Sequence, residues 1–536
     1  MDRRTRIVAL LKGLGRYVRN CVAIDTRTLA VFRIAVGVLI IADLLLRARR
    51  FSYFYTEDGV VPRWLAQDRA PDNAFSFFFF TTDPAVTAGL FALHGLIAVQ
   101  LILGYKTRIA TILSFLFIVS LDHRNLLVTS YADTLFRLLV FWSIFLPLGA
   151  RWSIDAIHAA RPPVRQVANL ASAAILVQMI YMYVVNGYHK WDGGRWSDGE
   201  AVIMVFGLDD MTFLLGDALR NVPTLLQYGG ILWYYMLLAS PLLLLLPGRL
   251  RWPLVVLFLG GHASFAITVR IGAFAFVAIA GVLLFLQWQF WEDTKLLARR
   301  LRVDTYIDRT AALVEGWGHA AARWLPALQV RADQPRRLMN ATANVTLVVA
   351  IVAVLMLPAL HLVADTRVAG VDLGDVDRRN RAYTAILGVN QPPWTVFAPN
   401  PRRIDRWHVF VAQTADGELL DVYNDRTLSF ERPGQQLQRQ YETYRERFYM
   451  NSVRRASFHG DATPILAEYL CRTWLKERGV ELTHLNFYAI FETVTVDTVD
   501  RPEERKTETE LFYIHGCGGN DEERIPLPEY VTGAVP

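Results

Sequence analysis

A lysine and a histidine close a hydrophobic run long enough to cross a bilayer. The stretch VVNGYHKWDGGRW, residues 184–196, follows apolar sequence that begins near Val167. An amine held in a poorly solvated pocket is disfavoured as an ammonium, and the neutral form can take a proton near neutral pH. Lys190 is therefore the candidate general base, preceded by Tyr181, Tyr183 and Tyr188 and followed by the loop WDGGRWSDG. The plain alternative is a lysine that snorkels to the interface beside an aromatic belt. His189 is its neighbour in sequence, but successive helical residues point about 100° apart, which leaves His189 a supporting role.

Other polar groups fall within apolar runs: Arg33, Asp43, His94, Asp133, Arg137, Gln178, His262 and Arg270. An ionisable group at mid-membrane costs on the order of 3 kcal/mol, so each should face the bundle or a wet cavity. Arg33 lies about one turn inside the first span and can snorkel. Asp133 and Arg137, at i and i+4, read as a fold-holding ion pair. Gln178 lies three turns before Lys190 and can line the same cavity. His94 reads as a satisfied bundle histidine. His262, mid-span, can contact a ligand or make a structural hydrogen bond. The histidines show no ligand spacing with carboxylates, so no metal is expected. No phosphate loop, GxSxG elbow or dinucleotide fingerprint is present.

The elements that must carry these groups are membrane spans. The 536 residues are 53% hydrophobic and only 20% charged, with a mean hydropathy of +0.25, the profile of a polytopic membrane protein with a soluble appendage. Apolar runs of crossing length are placed at about 29–48, 86–105, 108–123, 131–149, 168–188, 225–246, 252–269, 271–290 and 343–363. These nine form an α-helical polytopic bundle.

The formal charge of +6 gathers in short Arg-rich segments between runs, a positive-inside pattern that argues against nucleic acid. The division is a cytoplasmic amphipathic terminus (1–23), a bundle (24–290), a basic cytoplasmic segment (291–342) and a last span (343–363). With an odd span count, residues 364–536 form an extracytoplasmic α+β, β-rich domain of a multi-pass cell-membrane protein. AFSFFFFTT (74–82) and residues 201–219 read as interfacial.

Within 364–536, WHVFVAQTADGELLDVY alternates around Asp416-Gly417 as a hairpin does. PILAEYLCRTWLKERG has helical spacing and a Gly stop. NFYAIFETVTVDTV and TETELFYIHG alternate again. Three cysteines exclude a disulfide scaffold, yet Cys471 and Cys517 fall in this domain, where a bridge would tie helix to strand.

In LAVFRIAVGVLIIADLLLRA with YTEDGVVPRW, LGYKTRIA, LLVFWSIFLPLGARWSIDA, VVNGYHKWDGGRWSDG, HASFAITVRIGAF and PPWTVFAPNP, the chain resembles the vitamin K-dependent γ-glutamyl carboxylases and the wider horizontally transferred transmembrane domain (HTTM) proteins. The likeness runs from about Ile24 to His515. It implies that Lys190, in the family's G-x-x-K-x-x-x-x-W pattern begun by Gly187, deprotonates vitamin K hydroquinone or a related menaquinol. Trp196 stands one residue further along than in the carboxylases. His262, nine residues before Ile271-Gly272, matches a family histidine.

The resemblance also implies O2 and CO2 as co-substrates and carboxylation of a glutamate-containing protein or peptide, with membrane lipids around the bundle. Gln178, Tyr181, His189 and Trp196 would border the quinol. Three features depart from the carboxylases: an Asn-His pair before the fourth span is replaced within VTSYAD, His189 stands in place of a lysine, and the C-terminal domain is shorter. A noncatalytic scaffold presenting that domain, or a lipid or small-molecule transporter, are the alternatives. Common transporters show internal repeats, and none is seen in this sequence.

Overall fold

A computed structural model describes residues 3–159, 162–327, 333–363, 373–434, 436–455 and 460–528. An amphipathic helix α1 (Arg3–Cys21) leads in, and a helix lies at each of the nine places where a crossing is expected. In chain order the longer helices are α2 (Thr26–Ala48), α3 (Pro84–Leu103), α4 (Thr107–Arg124), α5 (Tyr131–Ser143) and α6 (Leu170–Trp191). They continue with α7 (Pro223–Ala239), α8 (Trp252–Thr268), α9 (Phe274–Leu283), α10 (Trp288–Arg300), α11 (Asp304–Trp324) and α12 (Ala341–Leu362). Local chemistry sets the boundaries. Asp25, Asp83, Ser130 and Asn169 each accept from a first-turn N–H, and Gly104 at φ +66° ends α3.

The number of spans differs from the nine expected. Among the described residues five segments are long and apolar enough to cross: α2, α3, α6, Gly248–Thr268 and α12. A sixth is added if α9 and α10, bent by 95°, count as one. α5 has 13 residues, about 20 Å of helix against a hydrocarbon core of about 30 Å. α4 ends on the buried Asp122, His123 and Arg124, and Pro241 separates α7 from a four-residue turn at Leu242–Leu245. Five crossings keep the odd parity on which the sidedness of the C-terminal region rested, and six reverse it. The basic helices α10 and α11 bury no residue, as surface helices do.

Beyond the bundle, α13 (Leu373–Ile386) leads to a five-stranded antiparallel sheet. Its strands are β1 (Ile404–Thr414), β2 (Leu419–Asp421), β3 (Arg426–Thr427), β4 (Leu482–Thr493) and β5 (Thr507–Gly516), in the order β3-β2-β1-β4-β5. α14 (Tyr444–Arg454) and α15 (Ala462–Arg478) pack with it. The expected hairpin, helix and two strands are all present, with Gly417 at φ +85° in the turn and Gly479 at φ +65° ending α15.

β1 is buried on both faces, and its alternation sorts residues between two cores rather than between core and water. Phe410 and Ala412 join the core containing Leu466 of α15, while Trp407, Val409 and Val411 join Phe430, Leu437 and Ile525. Cys471 of α15 and Cys517 just past β5 are joined in a disulfide, with their α-carbons 5.8 Å apart.

Candidate functional site

Tyr183, Asn186 and Lys190, at i, i+3 and i+7, share one face of α6, and that face lines a chamber of about 590 Å³. α7 and α8 supply the other walls, including Trp233, Leu237 and Phe265, and Phe274 stands at the start of α9. Gly261 lets the wall close: a β-carbon there would stand 2.7 Å from the Trp233 ring. No carboxylate lines the chamber among the described residues.

Lys190 is 2% exposed, although it ends a helix. Its Nζ donates to the carbonyl oxygen of Val396 at 2.7 Å and lies 3.6 Å from the centroid of the Trp196 ring, a cation–π distance for an ammonium. His262 of α8 is 1% exposed. Its Nε2 is 2.7 Å from the Tyr183 hydroxyl, and its Nδ1 is buried with no hydrogen-bond partner. The sequence expectation thus brings Lys190, His262 and Trp196 together in one chamber.

The mouth is closed by a loop that arrives from more than 200 residues away. Asn186 Nδ2 donates to the carbonyls of Trp394 (2.7 Å) and Val396 (3.0 Å), and Trp196 Nε1 donates to that of Phe397 (3.0 Å). Trp394, fully buried, stacks on Tyr131 and donates to Gln391, while the Thr395 and Tyr131 hydroxyls are 2.9 Å apart. Trp394 and Phe397 hold φ of +49° and +54°, a left-handed conformation costing about 1–3 kcal/mol in a bulky residue. Asn186 and Trp196 hold the loop with the Val396 carbonyl against the amine despite that strain.

Three expected border residues lie elsewhere. Gln178 is fully buried one helix face away, accepting from Trp142 Nε1 (3.3 Å) and Gln391 Nε2 (2.6 Å), so it supports the base of the loop. Tyr181 packs against the apolar core, and the His189 ring lies beside Tyr188. Neither lines the chamber. Asn186 was the residue missed. Its spacing, one turn before Lys190, was the available signal; the Val396 carbonyl left none.

The remaining polar groups are engaged differently from expectation. Arg33 does not snorkel. Fully buried, it donates to the carbonyls of Leu148 (2.9 Å), Arg151 (3.0 Å), Ile102 (3.3 Å) and Trp152 (2.5 Å). The Asp133–Arg137 pair is replaced by a larger network. Asp133 Oδ2 caps α5 by accepting from Ser130 N (2.7 Å), while Oδ1 faces Arg445 (2.8 Å) and Arg47 (3.2 Å). Arg137 turns instead to Asp122 (2.7 Å), which also binds Arg47 (2.8 Å), and Asp43 bridges Arg47 (2.7 Å) and Arg445 (2.5 Å). His94 carries no hydrogen bond on either ring nitrogen and stacks on Phe117.

Where the sheet meets the bundle, Asp209, Asp405 and Glu492 converge. The Arg505 guanidinium stands among them at 2.9, 3.3 and 3.3 Å, in the space a cation would need.

No significant match is found among curated proteins or solved structures. A model of the HTTM domain, the domain shared with vitamin K-dependent γ-carboxylase, matches residues 22–291, the stretch that builds both walls of the Lys190 chamber. The chain belongs to the HTTM domain family.

Proposed function

We propose that this protein is a membrane-embedded, quinol-using enzyme of the carboxylase type. The observation that carries this reading is the Lys190 amine, buried at the polar end of an apolar chamber that no carboxylate lines. Apolar walls with a few convergent polar groups suit an amphipathic quinol with a hydrocarbon tail. The orphaned Nδ1 of His262 is free for a quinol oxygen. Bound there, a vitamin K-type hydroquinone or menaquinol would supply the oxidation that carboxylases couple, with O2 and CO2, to glutamyl carboxylation.

The chain's own part is proton handling. Lys190 Nζ takes the proton of a quinol hydroxyl, the Val396 carbonyl and the Trp196 ring hold the amine in place, and the apolar walls exclude water. His262, oriented by Tyr183, meets the opposite polar group.

Lys190→Ala is expected to lower quinol oxidation by about 10²–10⁴-fold, with a small primary amine restoring part of it and a quinone still co-purifying. Lys190→Arg should fail as well, because a guanidinium does not release its proton. A scaffold reading draws on the same Lys190–Val396 hydrogen bond, as a pin that positions the loop. In that reading Lys190→Arg keeps its function, and full turnover by the alanine variant would end the enzyme reading.

The arginine distribution supports a cytoplasmic amino terminus and an extracytoplasmic sheet region. Asp416→Cys, on the exposed hairpin turn, should then react with an impermeant thiol reagent in intact cells. Labelling only after lysis would reverse this orientation.

A further inference from the structure

A second chamber of about 540 Å³ lies on the far side of the segment joining α8 to α9, and Val269 and Ile271 line both cavities. α2, α5 and α9 form its walls, and residues 442–445 of the sheet region form its roof. The roof is fitted closely. Gly272, at φ +64°, lies flat against the Tyr444 ring, which would stand 2.2 Å from any β-carbon there. One side opens on the flank of the helices, where the apolar lining residues Val38, Ala42, Leu46 and Phe276 are exposed.

The charges at the roof end are unequal. Arg47, Arg137 and Arg445 are matched by Asp43, Asp122 and Asp133, and the lining Glu442 pairs with Arg50. The lining arginines Arg49 and Arg270 have no carboxylate within ion-pair distance among the described residues. Arg270 spends Nη1 on the carbonyl of Gln438 at 2.6 Å, which fixes the guanidinium and leaves its other nitrogens to a ligand. His94, 2% exposed, lines the same chamber with neither ring nitrogen hydrogen-bonded. A buried imidazole without partners in a roomy cavity is a polar group waiting for a ligand.

We infer that this second chamber binds a phospholipid of net negative headgroup charge, the phosphate held by Arg270 and Arg49 and one chain lying between α2 and α9 with its upper part beside His94. Each observation contributes a separate requirement. The lateral opening admits a molecule from the bilayer, the apolar walls take a hydrocarbon chain, and the surplus guanidiniums select an anionic head. The site does not depend on the chemistry proposed for Lys190.

The test is native mass spectrometry of the full-length protein in detergent, titrated with phosphatidylglycerol or phosphatidylcholine. Wild type should retain one phosphatidylglycerol in preference to phosphatidylcholine. Arg270→Gln should weaken that retention about fivefold, the effect of one such charge, and Arg270→Lys should largely preserve it. Ala42→Trp adds bulk at an exposed position of α2 and cannot disturb the core. It should block the mouth and abolish the retained lipid. Equal retention of both lipids, or unchanged retention in Ala42→Trp, would overturn the inference. Displacement by millimolar inorganic phosphate would also overturn it, by assigning the site to a free anion.

Discussion

The two chambers differ by only about 50 Å³ in volume, 590 against 540, and share two lining residues, yet they treat buried charge in opposite ways. The Lys190 chamber isolates one amine among apolar walls and offers it a carbonyl. In the second chamber three arginines and three aspartates interlock, and Arg49 and Arg270 stand outside that network. Uncompensated burial costs stability and is tolerated where a reactive group is wanted; compensated burial holds helices together with little reactivity left over. The helices of the family domain thus border a cavity with a lone buried amine and a cross-braced one side by side.

The contrast is most exposed at Asp122, which bridges Arg47 and Arg137 and is fully buried. Asp122→Ala takes the one paired carboxylate from Arg137 and one of three from Arg47, and should cost about 3–5 kcal/mol, read as a large fall in the thermal midpoint. A midpoint unchanged from wild type would mean that the network is no brace.

Asn186→Ala probes the other chamber through two hydrogen bonds to the strained loop. It should cost about 1–3 kcal/mol of stability and, under the proposed quinol chemistry, lower kcat more than it raises KM, because the Lys190 amine loses its fixed carbonyl. A variant with altered KM alone would place Asn186 on the ligand rather than on the loop.

The smallest expected effect lies outside the membrane. Burial, and then the neighbouring Asp210 and Asp209 carboxylates, push Asp405 of β1 up to about 8 against the pull of Arg402. The folded chain therefore holds this proton between the ordinary carboxyl value, near 3.9, and 8. Its contribution is fully present below about pH 4 and is lost as pH rises toward 8, by up to about 1.4 kcal/mol per pH unit. Between pH 6 and 7 the thermal midpoint should fall with pH in wild type and less steeply in Asp405→Asn. Equal slopes would show that Asp405 is ionised in the folded protein.

Much of this was legible in sequence where the signal is local. Helices occur at all nine apolar runs because each satisfies its own backbone hydrogen bonds. The Asp416-Gly417 turn, the Gly479 stop and β5 follow from turn chemistry and alternation read within a few residues. Crossing was harder to read, since it depends on continuous apolar length: α5 is too short and α9 bends away. The count of nine treated each run as if it were straight.

By itself the sequence determined that Lys190 ends an apolar helix, that His262 stands within another, and that a small sheet follows the bundle. Those facts rest on periodicity along a contiguous chain. Only the tertiary structure decided that Lys190 meets the carbonyl of Val396, that Asp133 abandons Arg137 for Arg445, and that Arg33 gathers four carbonyls rather than reaching for water. Two of these contacts join residues more than 200 positions apart, and a backbone carbonyl leaves no mark in residue identity. In a poorly hydrated interior each buried polar group must find a partner wherever packing brings one, so its partner is fixed by how the helices and loop cross rather than by neighbours in sequence.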